Sequence, residues 1–296
     1  MRPLRSLLIY ILVVFIGGAL LAPWLYWLVQ SFAHTAPKLA NSPFHRYVNR
    51  SLLVLALIGI WPLLRSLGAK SFKEIGLVNP IGQTGKLAGG FALGFGSLAC
   101  VAIIVLTAHG RVFTDLATGK LAGKMISAAL TAIVVSILEE LLFRGAIFGG
   151  LRRIWNWHAA LLLSSMIYAI VHFMKRAELV GPVTWHSGLE LLPQMLSGFG
   201  NLHVVIPGFF NLTLAGIILG YAYQKTGNLY FSIGLHAGWI FWLKSYRIIT
   251  APVQGANVWF WGSDNLIDGW LALVVLAVAL VVLIRLPLSK PKERGA

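Results

Sequence analysis

Two adjacent acidic residues lie inside one of the most apolar segments of the chain. Glu139 and Glu140 stand within residues 125–149, whereas the other seven acidic residues lie in or at the edges of polar connections. A carboxylate at membrane depth costs about 2.5–3.5 kcal/mol, and two neighbouring carboxylates also repel each other. A buried active site is the leading explanation for such a pair.

Helical spacing gives the two glutamates different neighbours. Arg144 follows Glu140 by four residues, which predicts an ion pair along one face of the helix. Glu139 is turned away by about 100° and lies over Phe143. Glu139 is therefore the freer carboxylate and the candidate general base.

Two histidines lie in later apolar segments. His172 follows Tyr168 by four residues, so a helix places the tyrosine hydroxyl and the imidazole on one face. His236 lies one to two turns into another apolar segment. A lone buried histidine is usually a packed core residue, but two of them together with Glu139 favour catalysis.

Other catalytic patterns fit the sequence poorly. The HExxH pattern of zinc proteases is absent, and the three aspartates lie in connections or at their edges. Ser97 follows Gly94-Phe95-Gly96 but lacks the glycine expected after a membrane serine nucleophile. A water molecule activated by Glu and His remains the favoured chemistry.

The elements that must position these residues are membrane helices. The 296 residues are 58% hydrophobic and 11% charged, with a mean hydropathy of +0.80, and they contain no segment suited to a separate soluble domain. We predict an all-α, polytopic membrane helical bundle of about eight transmembrane helices, forming a single domain over residues 1–296. The predicted spans are 7–29, 51–67, 87–108, 125–149, 158–173, 204–223, 229–243 and 269–284.

The first span is interpreted as an uncleaved anchor in the inner (plasma) membrane, with a cytoplasmic N-terminus. Between residues 174 and 203, near-helical apolar spacing predicts an interfacial helix, with a lid as the alternative. Glycines spaced four apart predict close helix approach at Gly90/Gly94, Gly145/Gly149, Gly216/Gly220 and Gly234/Gly238.

The net charge of +15 is carried by basic residues scattered among loops. In an apolar chain this favours anionic membrane lipid as a partner and argues against nucleic acid. The single cysteine, Cys100, cannot form an intramolecular disulfide or a thiolate cluster. The clearest basic patch is the tail, with Arg285, Lys290, Lys292 and Arg294.

The residues described above resemble the CPBP family, the CAAX-protease and bacteriocin-processing (Abi) membrane proteases. Glu139-Glu140-x-x-x-Arg144 is similar to the family's EExxxR motif, and Tyr168-x-x-x-His172 to its [FY]xxxH motif. His236 is similar to the histidine of its last motif. The resemblance covers about residues 70–243.

The resemblance implies an intramembrane endopeptidase. Glu139 and His172 would position and deprotonate water, His236 would stabilise the oxyanion, and Glu140 with Arg144 would hold the helix in register. The family's last motif has Asn four residues after the histidine, where this chain has Ile240. Asn211, in the preceding helix, is the residue that could supply an amide instead.

The resemblance leaves cofactor and substrate open. We expect a mechanism without a metal, and the alternative is Zn²⁺ held by Glu139, His172 and His236. The compact chain is typical of bacteria, which generally lack prenylation, so we expect the substrate to be a peptide or membrane-anchored protein cleaved near the bilayer surface.

Two other functions use the same residues differently. A non-catalytic immunity or interaction protein could keep the fold and use the charged cluster for packing, and Ile240 is the observation in its favour. A proton-coupled transporter would also place Glu and His in the membrane, but no inverted repeat is evident.

Overall fold

The computed structural model describes residues 2–114, 118–175 and 177–288, and these residues are mostly helical. Two short antiparallel strands, β1 (Arg111–Phe113) and β2 (Thr250–Pro252), pair with each other. The predicted all-α membrane architecture is confirmed. The α-helices are α1 (Arg2–Leu12), α2 (Gly18–Ser31), α3 (Pro37–Ala40), α4 (Phe44–Ser66), α5 (Thr84–Thr107), α6 (Thr118–Glu140), α7 (Gly149–Leu151), α8 (Trp157–His172), α9 (Ser187–Met195), α10 (Leu202–Thr226), α11 (Tyr230–Ile249), α12 (Val258–Trp261) and α13 (Trp270–Arg285).

Four segments of other helical types interrupt or extend this series. π-Helices occupy Val13–Gly17, between α1 and α2, and Leu141–Phe148, between α6 and α7. Short 3-10 helices occupy Phe72–Ile75 and Leu196–Gly200. Because α6, the second π-helix and α7 are continuous, the chain forms one long membrane helix there.

Each predicted span corresponds to a helix, but the number of crossings differs from the prediction. In the described part of the chain, five helical segments are long and apolar enough to cross a membrane. α8 and α13 are apolar but have only 16 residues each. The predicted count of eight is therefore not confirmed, while the multi-pass architecture is. The five segments are Arg5–Ser31, Phe44–Ser66, Thr84–Thr107, Leu121–Leu151 and Leu202–Thr226.

α11 is not among these five although it has 20 residues. Residues 231–240 of α11 are all buried by the rest of the protein. A helix covered in this way does not need a lipid-facing apolar surface, so it can carry serine, glycine and His236. The low hydropathy of α11 thus follows from its interior position.

Contacts group the chain into two compact units. The first comprises Met1–Lys70 and His172–Gly200. In this unit α2 packs against α4 and α9, and a Cβ on Gly188 would collide with the Ala19 carbonyl group. Leu191 and Met195 of α9 are buried in the core of this unit, whereas Trp185 is exposed. The helix predicted between residues 174 and 203 is present, and its interfacial and lid interpretations stay predictions.

The second unit comprises Ser71–Val171 and Asn201–Ala296. Its apolar core joins side chains of α5, α10, α11 and α13. Leu98, Leu219, Leu235 and Leu276, one from each of these helices, are fully buried. The unit therefore surrounds α11, the helix that carries His236.

Glycine pairs on α5 and α11 allow their backbones to touch. A Cβ on Gly90 would collide with the Phe231 carbonyl, and one on Gly94 with the Leu235 carbonyl. Reciprocally, a Cβ on Gly234 would collide with the Leu87 carbonyl. The close approach predicted for these two pairs is therefore observed, and it places the two helix backbones in direct contact on both sides of His236.

The other two glycine pairs differ from each other. Gly216 and Gly220 of α10 lie against Ser165 and Leu161 of α8, where an added Cβ would clash. At Gly145 an added Cβ would make only ordinary contact with Ile75, at 3.5 Å. Close approach is therefore found for three of the four predicted pairs.

Part of the predicted lipid-binding tail lies outside the described residues, namely Lys290, Lys292 and Arg294. Arg285 is described and is the last residue of α13. The anionic-lipid partner of this tail stays a prediction.

The contact between α5 and α11 gives a test of the fold. Replacing Gly94 by Ala forces a methyl group against the Leu235 backbone, and we expect a loss of about 1–3 kcal/mol in unfolding free energy. The control is Gly96→Ala in the same helix, where nothing lies within 4 Å of an added Cβ. Thermal unfolding of both variants in detergent measures the difference, and equal stability would contradict the observed packing.

Candidate active site

One oxygen of Glu140 joins two helices. Its Oε1 atom lies 2.8 Å from Nη1 of Arg144 and 2.8 Å from Nδ1 of His236. The exposed fractions of the three side chains are 0% for Glu140, 3% for Arg144 and 5% for His236. The carboxylate therefore accepts hydrogen bonds from an arginine on its own helix and from the imidazole of α11.

The helical context explains why these groups meet. Glu140 is the last residue of α6, and Arg144 lies in the π-helix that follows. Single π-turns often occur at functional sites. Gly234 and Gly238 flank His236 on α11 and bring this helix close to α5. Two backbone features, the π-helix and the glycine contacts, therefore bring the side chains of Glu140, Arg144 and His236 together.

The contact with Glu140 determines how the His236 ring is oriented. A carboxylate can only accept, so Nδ1 of His236 carries the hydrogen that it donates to Glu140. Nε2 then points towards Tyr168, whose hydroxyl lies 3.3 Å away. This arrangement leaves Nε2 as the ring nitrogen that faces the remaining groups of the site.

Aromatic rings enclose the ion pair. The Arg144 guanidinium carbon lies 4.5 Å from the centre of the Tyr168 ring. Phe143 packs edge-on against Tyr168, with 5.0 Å between ring centres. A cation above an aromatic face is stabilised by the ring quadrupole. The rings therefore support the arginine charge and also fix the position of the Tyr168 hydroxyl.

Glu139 is the more accessible of the two glutamates. Its side chain is 27% exposed, and Oε2 lies 3.7 Å from Nε2 of His236. Glu140, by contrast, is fully buried and paired with Arg144. The predicted ion pair between Glu140 and Arg144 is therefore observed, and Glu139 is the more exposed of the two glutamate side chains. An accessible carboxylate beside an imidazole can take a proton from water and pass it on.

His172 is the last residue of α8, one turn after Tyr168, and it is exposed. The two residues share a helix as predicted. Its position next to Glu139 stays a prediction from the family resemblance.

Asn211 makes different contacts from those predicted. Its side-chain amide nitrogen donates to the carbonyl oxygens of Ile267, at 2.7 Å, and Gly269, at 2.8 Å. Both amide hydrogens are thereby used by the segment that precedes α13. We correct the predicted oxyanion role accordingly: Asn211 connects α10 to this segment. Ile240, one turn after His236, is buried and has no polar atom in its side chain.

The Zn²⁺ alternative depends on where the donor side chains lie. Among the described residues, no three His, Cys, Asp or Glu side chains lie together in an arrangement suited to an ion. Nδ1 of His236 is also engaged with Glu140. A histidine that binds a metal often donates its other ring nitrogen to a carboxylate in this way, so both the metal-free site and the Zn²⁺ alternative stay predictions.

The hydrogen bond between Glu140 and His236 was not anticipated. Residue spacing reveals neighbours along one helix, but these two residues are 96 positions apart. A signal did exist in the glycines that flank His236, because they predicted that its helix lies against another one. They could not identify which polar residue the imidazole would meet.

Comparisons with known proteins agree with these motifs. Residues 121–242 match a family model described as type II CAAX prenyl endopeptidase Rce1-like. The matched range contains Glu139, Glu140, Arg144, Tyr168 and His236, and it confirms the resemblance to the CPBP family. No match was found among curated proteins, and none among solved structures.

The buried ion pair can be tested against an exposed one. Arg144→Gln leaves the Glu140 carboxylate without its cation, and we expect a loss of about 3–5 kcal/mol in unfolding free energy. Arg153→Gln breaks the pair with Glu74, at 2.9 Å, whose side chains are 30% and 38% exposed. Here we expect a loss below about 1 kcal/mol. Chemical unfolding of both variants measures the two losses of unfolding free energy, and similar losses would contradict a structural role for the buried pair.

Proposed function

We propose that this Rce1-like membrane protein is an intramembrane endopeptidase that hydrolyses a peptide bond of a peptide or membrane-anchored protein near the membrane surface. The observation that carries the proposal is the partly exposed Glu139 side chain, whose Oε2 lies 3.7 Å from a buried imidazole that Glu140 holds through its other nitrogen. This is the arrangement of a base next to an oriented histidine.

Glu139 is the base in this mechanism. It takes a proton from a water molecule, and the hydroxide attacks the carbonyl carbon of the substrate. When the carbon–nitrogen bond breaks, Glu139 returns the proton to the leaving nitrogen. The family resemblance assigns His172 to Glu139 as the second group that positions the water.

His236 and Tyr168 act on the developing oxyanion. Glu140 accepts from Nδ1 of His236, so Nε2 is the ring nitrogen turned towards the oxyanion, and it donates there when both ring nitrogens carry hydrogen. The Tyr168 hydroxyl lies beside Nε2 and is a second donor. The hydroxyl of Tyr168 takes the place of the amide that Ile240 cannot provide.

The roles of Glu140 and Arg144 are positional. Their ion pair is fully buried and lies on the opposite side of the imidazole from Glu139. Glu140 therefore orients His236 without contacting the substrate. Arg144 donates to the same carboxylate oxygen and so holds Glu140 in position for the hydrogen bond to Nδ1.

Glu139→Gln is the first test of this function. The amide cannot accept the proton of water, so we expect cleavage to fall by at least about 10²–10⁴-fold while the fold is retained. The measurement is mass spectrometry of new protein termini in cells carrying wild type or variant at equal expression. Glu190→Gln is the control, because Glu190 is exposed and pairs with His186.

Two outcomes would redirect the interpretation. Identical sets of termini in wild type and Glu139→Gln cells would contradict a protease. An immunity or interaction function that survives Glu139→Gln would support the non-catalytic alternative, for which Ile240 is the supporting observation.

Tyr168→Phe tests the proposed oxyanion donor. Removing the hydroxyl takes away a donor next to Nε2 of His236, and we expect kcat to fall by about 10²-fold with little change in KM. Tyr230→Phe is the control, because that hydroxyl donates to the Val78 carbonyl instead. Kinetics with a substrate found in the first experiment give both constants. An unchanged kcat for Tyr168→Phe would remove Tyr168 from the mechanism.

A further inference from the structure

A cavity of about 470 Å³ lies between α6 and α11, away from the glutamate and histidine cluster. We call it the cationic cavity. Its polar lining consists of three cations and two hydroxyl groups, from Lys124, Ser127, Thr131, Lys244 and Arg247. All five residues belong to the second compact unit.

The positive charge of this cavity is not balanced by the described part of the protein. No described carboxylate lies within ion-pair distance of Lys124, Lys244 or Arg247. The three side chains are exposed. Three like charges that face one cavity repel each other, and an anion placed among them relieves that repulsion. The cavity therefore suits a group with several acceptor oxygens.

The position of the cationic cavity along the helices follows from its lining. Residues 124–131 of α6 lie beside residues 244–248 of α11, and Glu140 lies beside His236. The two helices are therefore antiparallel. Thr131 precedes Glu139 by eight residues and Lys244 follows His236 by eight, so the cavity begins roughly 12 Å from the cluster along either helix.

The membrane span places this cavity near one bilayer surface. Lys124 is the fourth residue of the apolar segment Leu121–Leu151. Leu130 and Val134, one turn beyond Ser127 and Thr131, are 60% and 54% exposed. A molecule whose anionic group occupies the cavity would therefore have lipid-facing apolar side chains next to it. This combination matches a lipid better than a free anion.

We propose that the cationic cavity binds the phosphate group of an anionic phospholipid, with the acyl chains lying along α6. Lys124, Lys244 and Arg247 supply the charge, and the Ser127 hydroxyl supplies a further donor. Basic cavities between membrane helices are known to accept such headgroups. The proposal does not depend on the endopeptidase activity.

The test uses the full chain in nanodiscs made from an equimolar mixture of phosphatidylcholine and phosphatidylglycerol. The protein is released from the nanodiscs, and native mass spectrometry counts the lipid molecules that stay bound to it. The cavity variant is Lys124→Gln with Lys244→Gln and Arg247→Gln. The control variant, Lys73→Gln with Lys86→Gln and Arg153→Gln, removes the same number and type of charges from the same unit.

We expect wild type to retain phosphatidylglycerol in preference to phosphatidylcholine. Each cation near an anionic headgroup raises the affinity for the lipid several-fold. The cavity variant should therefore retain about tenfold less phosphatidylglycerol than wild type, and the control variant should stay within about twofold of wild type. Equal losses in the two variants would overturn the proposal, because diffuse surface charge would then explain the binding.

A second measurement distinguishes the lipid from a free anion and does not need the variants. Thermal unfolding of wild type is followed with phosphatidylglycerol, with phosphatidylcholine and with inorganic phosphate alone. Stabilisation by phosphatidylglycerol beyond the other two supports the lipid site. Equal stabilisation by inorganic phosphate, or none by phosphatidylglycerol, overturns it.

Discussion

The hydrogen bonds to one carboxylate oxygen determine the geometry of the site. Oε1 of Glu140 accepts from Arg144 and from His236, each at 2.8 Å, with all three side chains buried. Breaking a buried ion pair by removing one partner is costly, because the remaining charge has no water to solvate it. The Glu140 carboxylate therefore connects three elements: the end of α6, the π-helix and α11. The orientation of the imidazole follows from that constraint.

This constraint requires that α11 run through the interior of its unit. The glycine contacts with α5 allow the close approach, and α6 and α10 pack against other sides of α11. Polar atoms in such surroundings need partners. The Trp239 indole illustrates this, since it donates to the Ser97 hydroxyl at 2.9 Å. Ser97, considered above as a nucleophile, thus has a structural partner one turn from His236.

Local periodicity predicted those parts of the site that lie within one helix. The i,i+4 pair of Glu140 with Arg144 and the shared helix of Tyr168 and His172 follow directly from 3.6 residues per turn. Close helix approach was also predictable from glycine spacing. The partner of His236 was not, because contacts between helices depend on packing that a single sequence does not encode locally. Asn211 shows the same limit, since its amide bonds to a segment more than 50 residues away.

The interior position of α11 has a consequence for assigning the sides of the membrane. The apolar pattern predicts a span at residues 229–243, but α11 is not among the five segments long and apolar enough to cross. Each crossing reverses the side on which the following loop lies, so counting or omitting a crossing at α11 exchanges inside and outside for everything that follows. Reporter fusions placed before Tyr230 and after Ile249 would therefore be more informative about topology than fusions at the chain ends.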